Sequence, residues 1–513
     1  MLNLNKWQYL MSIIKNAVGL AACVLMFVTG LVYAQDVKAI DTPSVDTFIS
    51  KPATVKLGFE SIKLPAGQSM GMVGTTYLIE ALPGIYLGPA GYGAISGQHG
   101  GFFTAGGEID WQKTLVSRLS FQTGLYAGGG GGGGSWSNLW GGGLMLRPHA
   151  DLLWDFGGIK AGITASRVSF SQGGNVHSNQ LGVTLAVDTN FNYTSPGYVA
   201  HQSDITGRQG FGFDRVIATA GSYFPVSGAN KNDGTPLPNH IAYAGTRLEQ
   251  FINPNLYWGI EGAGAASGGV AGYAEFLSTF GIEKKIFTNT TIGSRVSLGM
   301  GGGGGVSVGG GFLAKAATYL TYDLTDALHL NVEGGYAAAP DGNFRAGFAS
   351  GNVVLDLDHP FKAREAPRTT ENEFIVGSAR YFNAKPKLSD DHSIDLVTIQ
   401  LNRYLSDSLY LTGQLYSAYN GNAGSYAAGL LGVGCRSAPV LTNLVVGAEM
   451  LMGVAAVHAG GNTVVQPMAF VEYKWTKELG LKVSAGQVRS WSGELNTTVL
   501  NVGLSFDYGA VSR

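Results

Sequence analysis

Charged side chains spaced two residues apart are the candidates for chemistry in this sequence. Arg147, His149 and Asp151 fall on one face of a predicted strand, and Glu108 and Asp110 fall on one face of another. A carboxylate beside a histidine can orient the imidazole for acid–base catalysis. Because no nucleophile motif accompanies this histidine, we favour charge balance inside a wall of strands and expect no enzymatic activity.

The spacing of the other polar residues does not indicate a metal or nucleotide site. The nine histidines are scattered, and removal of a signal sequence would leave Cys435 as the lone cysteine. The glycine runs at residues 128–134 and 301–305 lack the Lys and Ser/Thr of a phosphate-binding loop. We interpret them as flexible loops with curved strand ends, and we expect no cofactor.

The composition points away from an ordinary soluble protein. Only 13% of the residues are charged, against about 25% in typical globular domains. The net charge of −2 argues against nucleic acid as a partner. The 78 glycines have no collagen period, and the apolar residues between them are plentiful and regularly spaced, which argues against disorder.

Alternation of apolar and polar residues predicts strands. It is clearest at residues 103–112, 118–125, 466–475 and 500–508. A soluble barrel or sandwich would also alternate, with its apolar face inward. We favour a membrane barrel because the polar face is mostly Gly, Ser, Thr, Asn and Gln, and because aromatic residues such as Trp154 collect near one end of the strands.

A pattern of eight short strands occurs three times. Residues 84–88, 255–259 and 408–412 begin the same step of this pattern, each after a tight turn. The predicted fold class is therefore all-β, a transmembrane antiparallel β-barrel of about 24 strands built from three eight-strand units. Three tandem eight-stranded barrels are the alternative, because the joins between units are long and eight strands can close alone.

The predicted organisation starts with a signal peptide at residues 1–34, since Lys6 and Lys15 precede an apolar stretch. A lipobox ending at Cys23 and an uncleaved anchor helix are weaker alternatives. An N-terminal periplasmic segment at 35–54 follows. The strand units are placed at residues 55–193, 211–358 and 372–513, with joins at 194–210 and 359–371.

The C-terminus carries a resemblance to a known class. Residues 504–508, Leu-Ser-Phe-Asp-Tyr, resemble the aromatic-ended final strand of Gram-negative outer-membrane β-barrel proteins, although the chain continues to Arg513. The resemblance implies the outer membrane as the location and its lipid as a partner. Turns at residues 155–158, 323–326 and 476–479 fit short periplasmic turns, whereas 172–179, 227–239 and 384–392 fit longer external loops.

The function predicted from these features is a porin-like channel for passive passage or export of an unknown solute or polymer. The alternative is a non-conducting structural or surface-exposed envelope protein with closed barrels. The residues predicted to line the lumen carry both signs of charge: Glu108, Asp110, Arg118, Arg147, His149, Asp151, Glu275, Glu283, Arg295, Lys315, Glu472 and Lys474. Neither the cargo nor the oligomeric state follows from the sequence.

Overall fold

A computed structural model describes residues 48–132, 139–196, 208–357, 368–384, 392–441, 443–456, 463–491 and 495–512. The predicted signal sequence, including Cys23, lies outside these residues. Across these ranges, no helix has the length and apolar character needed to cross a membrane. The described chain is built from twenty-four strands and one short 3-10 turn, which confirms the predicted all-β class and the number of strands.

The strands fall into three consecutive sets of eight. The first set contains β1 (Phe48–Lys63), β2 (Ser69–Leu82), β3 (Ile85–Ser96), β4 (Phe102–Val116), β5 (Leu119–Gly132), β6 (Met145–Asp155), β7 (Ile159–Phe170) and β8 (His177–Thr194). The middle set contains β9 (Arg215–Pro225), β10 (Ile241–Asn253), β11 (Leu256–Ala265), β12 (Ala274–Phe287), β13 (Thr290–Gly302), β14 (Phe312–Asp323), β15 (Leu328–Ala338) and β16 (Arg345–Asp356). The last set contains β17 (Arg368–Ala384), β18 (His392–Tyr404), β19 (Leu409–Asn420), β20 (Ala427–Arg436), β21 (Leu444–Ala455), β22 (Thr463–Lys474), β23 (Leu479–Ser490) and β24 (Asn496–Ser512).

The middle set forms a closed barrel, because β16 pairs with β9 along its whole length. In the first set β1 pairs with both β2 and β8, and in the last set β17 pairs with both β18 and β24. A single pair, Gly509 with Thr194, connects these two sets into one sheet of sixteen strands. All of these pairings are antiparallel.

The single wall of twenty-four strands favoured from the sequence is wrong. Strand β9 pairs with β10 and β16 rather than with β8, so the middle set is separate from the other sheet. The physical reason is the length of the joins. The chain from Thr194 to Arg215 is long enough to leave one set and begin another, whereas neighbouring strands of one barrel need only a tight turn.

The predicted turns lie where the sequence placed them. Residues 155–158 connect β6 to β7, residues 323–326 lie between β14 and β15, and residues 476–479 lie between β22 and β23. The three repeated pieces begin the third strand of each set, namely β3, β11 and β19. Strand β1 begins at Phe48, so part of residues 35–54, the segment predicted to precede the first strand, belongs to that strand.

Glycines bring neighbouring sets into backbone contact at the long-loop end. The Gly100 N–H donates to the Gly309 carbonyl at 3.0 Å, which joins the first set to the middle set. The Gly424 N–H donates to the Gly141 carbonyl at 3.2 Å, which joins the last set to the first. Because glycine has no Cβ, the two backbones can approach to hydrogen-bonding distance.

The same two loops are used in each contact between sets. In each case the loop after the third strand of one set meets the loop after the fifth strand of the next. The middle and last sets obey the same rule, since Gly272 lies beside Ala456 and Gly264 beside Val454. Contacts of this kind therefore connect the first set to the middle set, the middle set to the last, and the last set to the first.

Replacing Gly100 with valine is expected to weaken the contact between the first and middle sets. A Cβ at Gly100 would lie 2.8 Å from both the Gly309 carbonyl and the Gly311 Cα, so the loops must move apart. Overpacking of this kind costs about 1–3 kcal/mol. We therefore expect a lower unfolding temperature for purified Gly100→Val.

The matched control is Gly334→Val on β15. A Cβ there has only the Phe348 carbonyl nearby, at 3.8 Å, so we expect an unfolding temperature close to that of the unchanged protein. Equal unfolding temperatures for the two variants would show that the Gly100 contact contributes nothing to stability.

Candidate functional site

The interior of the first set contains a cluster of buried charges around Lys56. Its ammonium group lies 2.8 Å from Glu108 and 3.7 Å from Asp151, and it donates a hydrogen bond to Asp110. The His149 Nε2 lies 3.3 Å from the same ammonium group. Period-two alternation on β1, β4 and β6 points all five side chains inward, where one lysine partly neutralises three carboxylates.

A second cluster lies beside the first, towards the long-loop end. Arg147 pairs with Glu60, and its Nη1 donates to the Tyr92 hydroxyl at 3.1 Å. Tyr92 in turn donates to Glu108 at 2.7 Å, so the two clusters form one network. The space left between these side chains is about 10 Å³. This part of the interior is therefore packed rather than open.

Arginine–glutamate pairs fill the part of the middle barrel that lies nearer the short turns. Arg215 lies 2.9 Å from Glu283 and also pairs with Glu249. Arg247 donates to Glu249 at 2.6 Å, so this carboxylate accepts from two guanidinium groups. The pair of Arg215 with Glu283 is bidentate, with Nη1 donating to Oε1 at 3.2 Å and Nη2 to Oε2 at 2.9 Å, and this is a strong form of ion pairing for arginine.

Arg295 and Lys315 lie in the same barrel, farther towards the long-loop end. Arg295 lies 2.7 Å from Glu333 and 2.8 Å from Glu261, and Lys315 lies 2.8 Å from Glu275. The Tyr223 and Tyr273 hydroxyls also donate to Glu275, at 2.8 and 3.0 Å. Each buried carboxylate named here therefore has a cationic partner.

The last set has two lysines among its described interior side chains, fewer cations than the middle barrel has. Lys482 pairs with Glu449, which also accepts hydrogen bonds from Gln400 at 2.8 Å and from Tyr410 at 2.7 Å. Lys474 lies 2.6 Å from Asp507, and it also contacts two buried glutamates, Glu373 and Glu472. This interior thus combines two lysines with neutral amide and hydroxyl donors.

The residues predicted to line the lumen can now be located. Ten of them are buried in the interiors: Glu108, Asp110, Arg147, His149, Asp151, Glu275, Glu283, Arg295, Lys315 and Glu472. Lys474 points inward near the short-turn end and is partly exposed. Arg118 does not belong with them. It lies exposed in the turn before Leu119, because β5 begins one residue later than the alternation suggested.

Many interior charges are not among the predicted residues. Most of them lie on strands whose alternation is weaker or interrupted by glycine, but the two-residue spacing on β1 and β10, and the clear alternation on β24, would have indicated several of them. The missed residues are Lys56, Glu60, Arg215, Arg247, Glu249, Glu261, Glu333, Glu373, Glu449, Lys482 and Asp507.

Two groups of buried side chains have the geometry of metal ligands. Glu108, Asp110 and His149 form one, and Glu373, Glu472 and Asp507 form the other. In each group a lysine ammonium already lies among the carboxylates, at the distance and with the charge expected of a counter-ion. The lysine offsets part of the negative charge of each group. His149 faces Lys56, and the space left between the side chains of this cluster is about 10 Å³.

Aromatic and aliphatic clusters close the interiors near the long-loop end. In the middle barrel, Tyr223, Tyr243 and Phe348 pack together above the Lys315 ammonium group, whose distance from the three ring centroids is 5.0–5.5 Å. In the first set, Phe102 and Trp140 belong to a similar buried apolar cluster, and their ring centroids lie 4.4 Å apart. The interiors thus combine a charged middle with an apolar upper layer.

A large cavity lies between the three sets rather than within one of them. It has a volume of about 1590 Å³ and is lined by residues of all three. Its walls are mostly outward-facing apolar side chains and glycines, including Leu57, Phe276, Leu298 and Leu415, with polar residues such as Asp214, Glu261 and Asn331 among them. It extends from the glycine contacts at the long-loop end to the join around Phe211 at the other.

Known proteins offer a limited likeness. No protein-family model matches the chain, and no curated protein matches its sequence. Among solved structures, the ferric enterobactin receptor PfeA of Pseudomonas aeruginosa is similar, with 9% identity, 89% of this chain and 81% of that chain covered, and a TM-score of 0.28. The siderophore receptor PiuA of Acinetobacter baumannii has 11% identity, coverage of 91% and 82%, and a TM-score of 0.27. OccK11 (OpdR) of Pseudomonas aeruginosa has 11% identity, coverage of 92% and 100%, and a TM-score of 0.21.

These similar structures are Gram-negative outer-membrane β-barrel proteins, the class that the C-terminal residues resemble.

Replacing Lys315 with methionine should destabilise the middle barrel strongly. The change leaves Glu275 buried with tyrosine hydroxyls as its remaining partners and removes one of the cations beside Glu261. Removing one partner of a buried ion pair costs about 3–5 kcal/mol. We expect a clearly lower midpoint of denaturant-induced unfolding.

Lys285→Met provides the matched control in the same barrel. Lys285 pairs with Asp323 at 3.2 Å, but its side chain is 58% exposed, and such pairs contribute about 0–1 kcal/mol. If the two variants unfolded at the same denaturant concentration, the interior ion pairs would not be stabilising in the way described.

Proposed function

We propose that this protein spans the Gram-negative outer membrane as three closed eight-stranded barrels whose interiors do not conduct. It would then act as a structural or surface-exposed envelope protein, with membrane lipid as its main partner. The observation that carries the proposal is the inverted distribution of side chains, with charged groups inside and apolar groups outside.

The outer faces of the strands support the membrane location. Large apolar side chains stand exposed there, such as Ile163 at 60%, Leu181 at 76% and Val332 at 63%. Comparable residues occur on all three sets, for example Met450 and Leu504 in the last. A soluble protein rarely exposes contiguous apolar surface on this scale, whereas a barrel in a bilayer needs it.

Aromatic residues near the short-turn end strengthen this argument. Trp154, Tyr322, Tyr473 and Trp475 lie at or just beyond the ends of their strands, and each is 44–53% exposed. Trp and Tyr favour the interface between hydrocarbon and water, because their rings are apolar and their N–H or O–H groups are polar. The short turns beside them are typical of the periplasmic side of outer-membrane barrels.

Three closed barrels are supported by the strand pairing. Strand β8 returns to β1 over Phe48 to Glu60, and β24 returns to β17 over Arg368 to Phe382. Eight strands enclose a space that side chains can fill completely. We therefore place the three domains at the three sets of strands, joined by the segments around residues 195–214 and 357–367.

The packed interiors argue against the porin-like channel predicted from the sequence. In the first set, Lys56, Arg147 and their carboxylate partners occupy the cross-section, and the aromatic layer above them closes the same path. An ion would have to break buried ion pairs to pass. The cavity between the sets is a second conceivable route, but its apolar walls disfavour a polar solute or polymer.

An arginine on the outer wall distinguishes a membrane protein from a soluble one. Ile163→Arg places a charge in the middle of β7, where it would cost about 2–4 kcal/mol if the surface meets hydrocarbon. In a soluble protein the same change would be neutral or favourable. We expect Ile163→Arg to unfold more easily in lipid vesicles.

The control is Gln172→Arg in the loop after β7, which is exposed and should leave stability unchanged. Unchanged stability of Ile163→Arg as well, together with release of the protein from membranes by a urea wash, would overturn the membrane location.

The closed interiors predict little conductance. We expect purified protein in planar bilayers to show no stable conductance steps under conditions in which a porin standard does. Large, stable steps that disappear when Lys56 or Lys315 is changed would instead place an open path through the barrels, and the channel function would be restored.

A further inference from the structure

The cavity between the three sets has the properties of a lipid-binding site. Its volume of about 1590 Å³ exceeds the roughly 300–1,000 Å³ of pockets that hold small molecules. Its walls continue the outward apolar faces that meet the membrane elsewhere. Water cannot satisfy such a surface, and a large empty space would leave the wall atoms without packing partners.

The two ends of the cavity differ. At the long-loop end, Gly101 packs against the backbone of Gly303, and Gly131 packs against that of Gly424. Backbone contacts of this kind leave little space for a polar headgroup. The contents of the cavity must therefore be apolar at this end.

At the short-turn end, polar side chains join the lining. Arg208 and Arg403 are both partly exposed and line the cavity there. Arg208 donates to Asp214 at 2.6 Å and to the carbonyls of Gly212 and Phe251, and Arg403 donates to the Leu357 carbonyl at 3.3 Å. Both guanidinium groups are therefore held at this end of the cavity. Arginine is well suited to bind phosphate, since it offers several donors in one plane.

We propose that the cavity holds the acyl chains of a phospholipid, with its phosphate at the arginine end. Phospholipid is favoured over lipopolysaccharide because the arginines lie on the short-turn, periplasmic side, where the leaflet is made of phospholipid. This assignment rests on the proposed membrane location. The lipid would fill the centre of the ring, and it would add apolar contact between sets that otherwise touch mainly through glycines.

Two glycines allow a direct test, because a side chain at either would project into the cavity. Gly351 on β16 and Gly429 on β20 both line it, and a Cβ at each meets no atom within 4 Å. The double variant Gly351→Leu/Gly429→Leu fills part of the space without disturbing the backbone. Gly334→Leu is the matched control, since Gly334 is also exposed on a strand but does not line the cavity.

The experiment measures lipid that stays with the protein. The full chain and each variant are extracted from outer membranes and exchanged extensively into a phosphorus-free detergent. Released lipid is then identified and quantified per chain by mass spectrometry. We expect phospholipid to remain with the unchanged protein and with Gly334→Leu, and to be lost from the double variant at an unchanged unfolding temperature.

Several outcomes would overturn the proposal. Equal phospholipid on all three proteins would mean that it binds elsewhere, and retention of lipopolysaccharide alone would assign a different lipid. No retained lipid on any of them would mean that the cavity is filled otherwise. These results are separable from failure of the membrane location, which the urea wash of the unchanged protein reports independently.

Discussion

The need to neutralise charge inside a ring of eight strands governs the rest of this structure. Strand alternation sends every second side chain inward, and in each set these side chains include several carboxylates. A buried carboxylate without a partner is far more costly than a surface one. Arg215, Arg247 and Arg295 meet this need in the middle barrel, and Lys56 and Arg147 meet it in the first set. Filling the interior with ion pairs leaves the outer faces free to be apolar, so one constraint accounts for both sides of the wall.

The same constraint explains why each set contains eight strands and not more. A larger ring would place these charges around water, where the pairs would be screened and would contribute less. In an eight-stranded ring, Lys56 reaches carboxylates on β4 and β6, and Lys315 reaches others on β11 and β12. The interior cross-section is therefore matched to the reach of one long cationic side chain. Closing each set separately then requires a long join, which the chain has between β8 and β9.

Much of this architecture was predictable from the sequence, but the pairing of the strands was not. Alternation gave the strand class and the inward position of Glu108 and Arg295, because period two depends on neighbouring residues alone. It failed at Arg118, where a turn begins, and it said nothing of which strand closes on which. Closure depends on contacts such as Lys56 with Asp110, whose members lie far apart in the chain. The sequence predicts flexible loops at the glycine runs for a similar reason, since the partners of these glycines belong to other sets: Gly131 packs against Gly424, and Gly303 packs against Gly101.

The glycines also determine what can occupy the centre of the ring. Hydrogen bonds such as Gly100 to Gly309 draw the sets together at one end, while the barrels, being cylinders, cannot fill the space between them. The surface of this gap is made mostly of apolar side chains that face outward from the strands. Larger residues on these faces could have closed the gap, but positions such as Gly351 and Gly429 keep it open. The cavity thus follows from joining the sets of strands through glycine, and its apolar lining follows from the outward-facing positions of those strands.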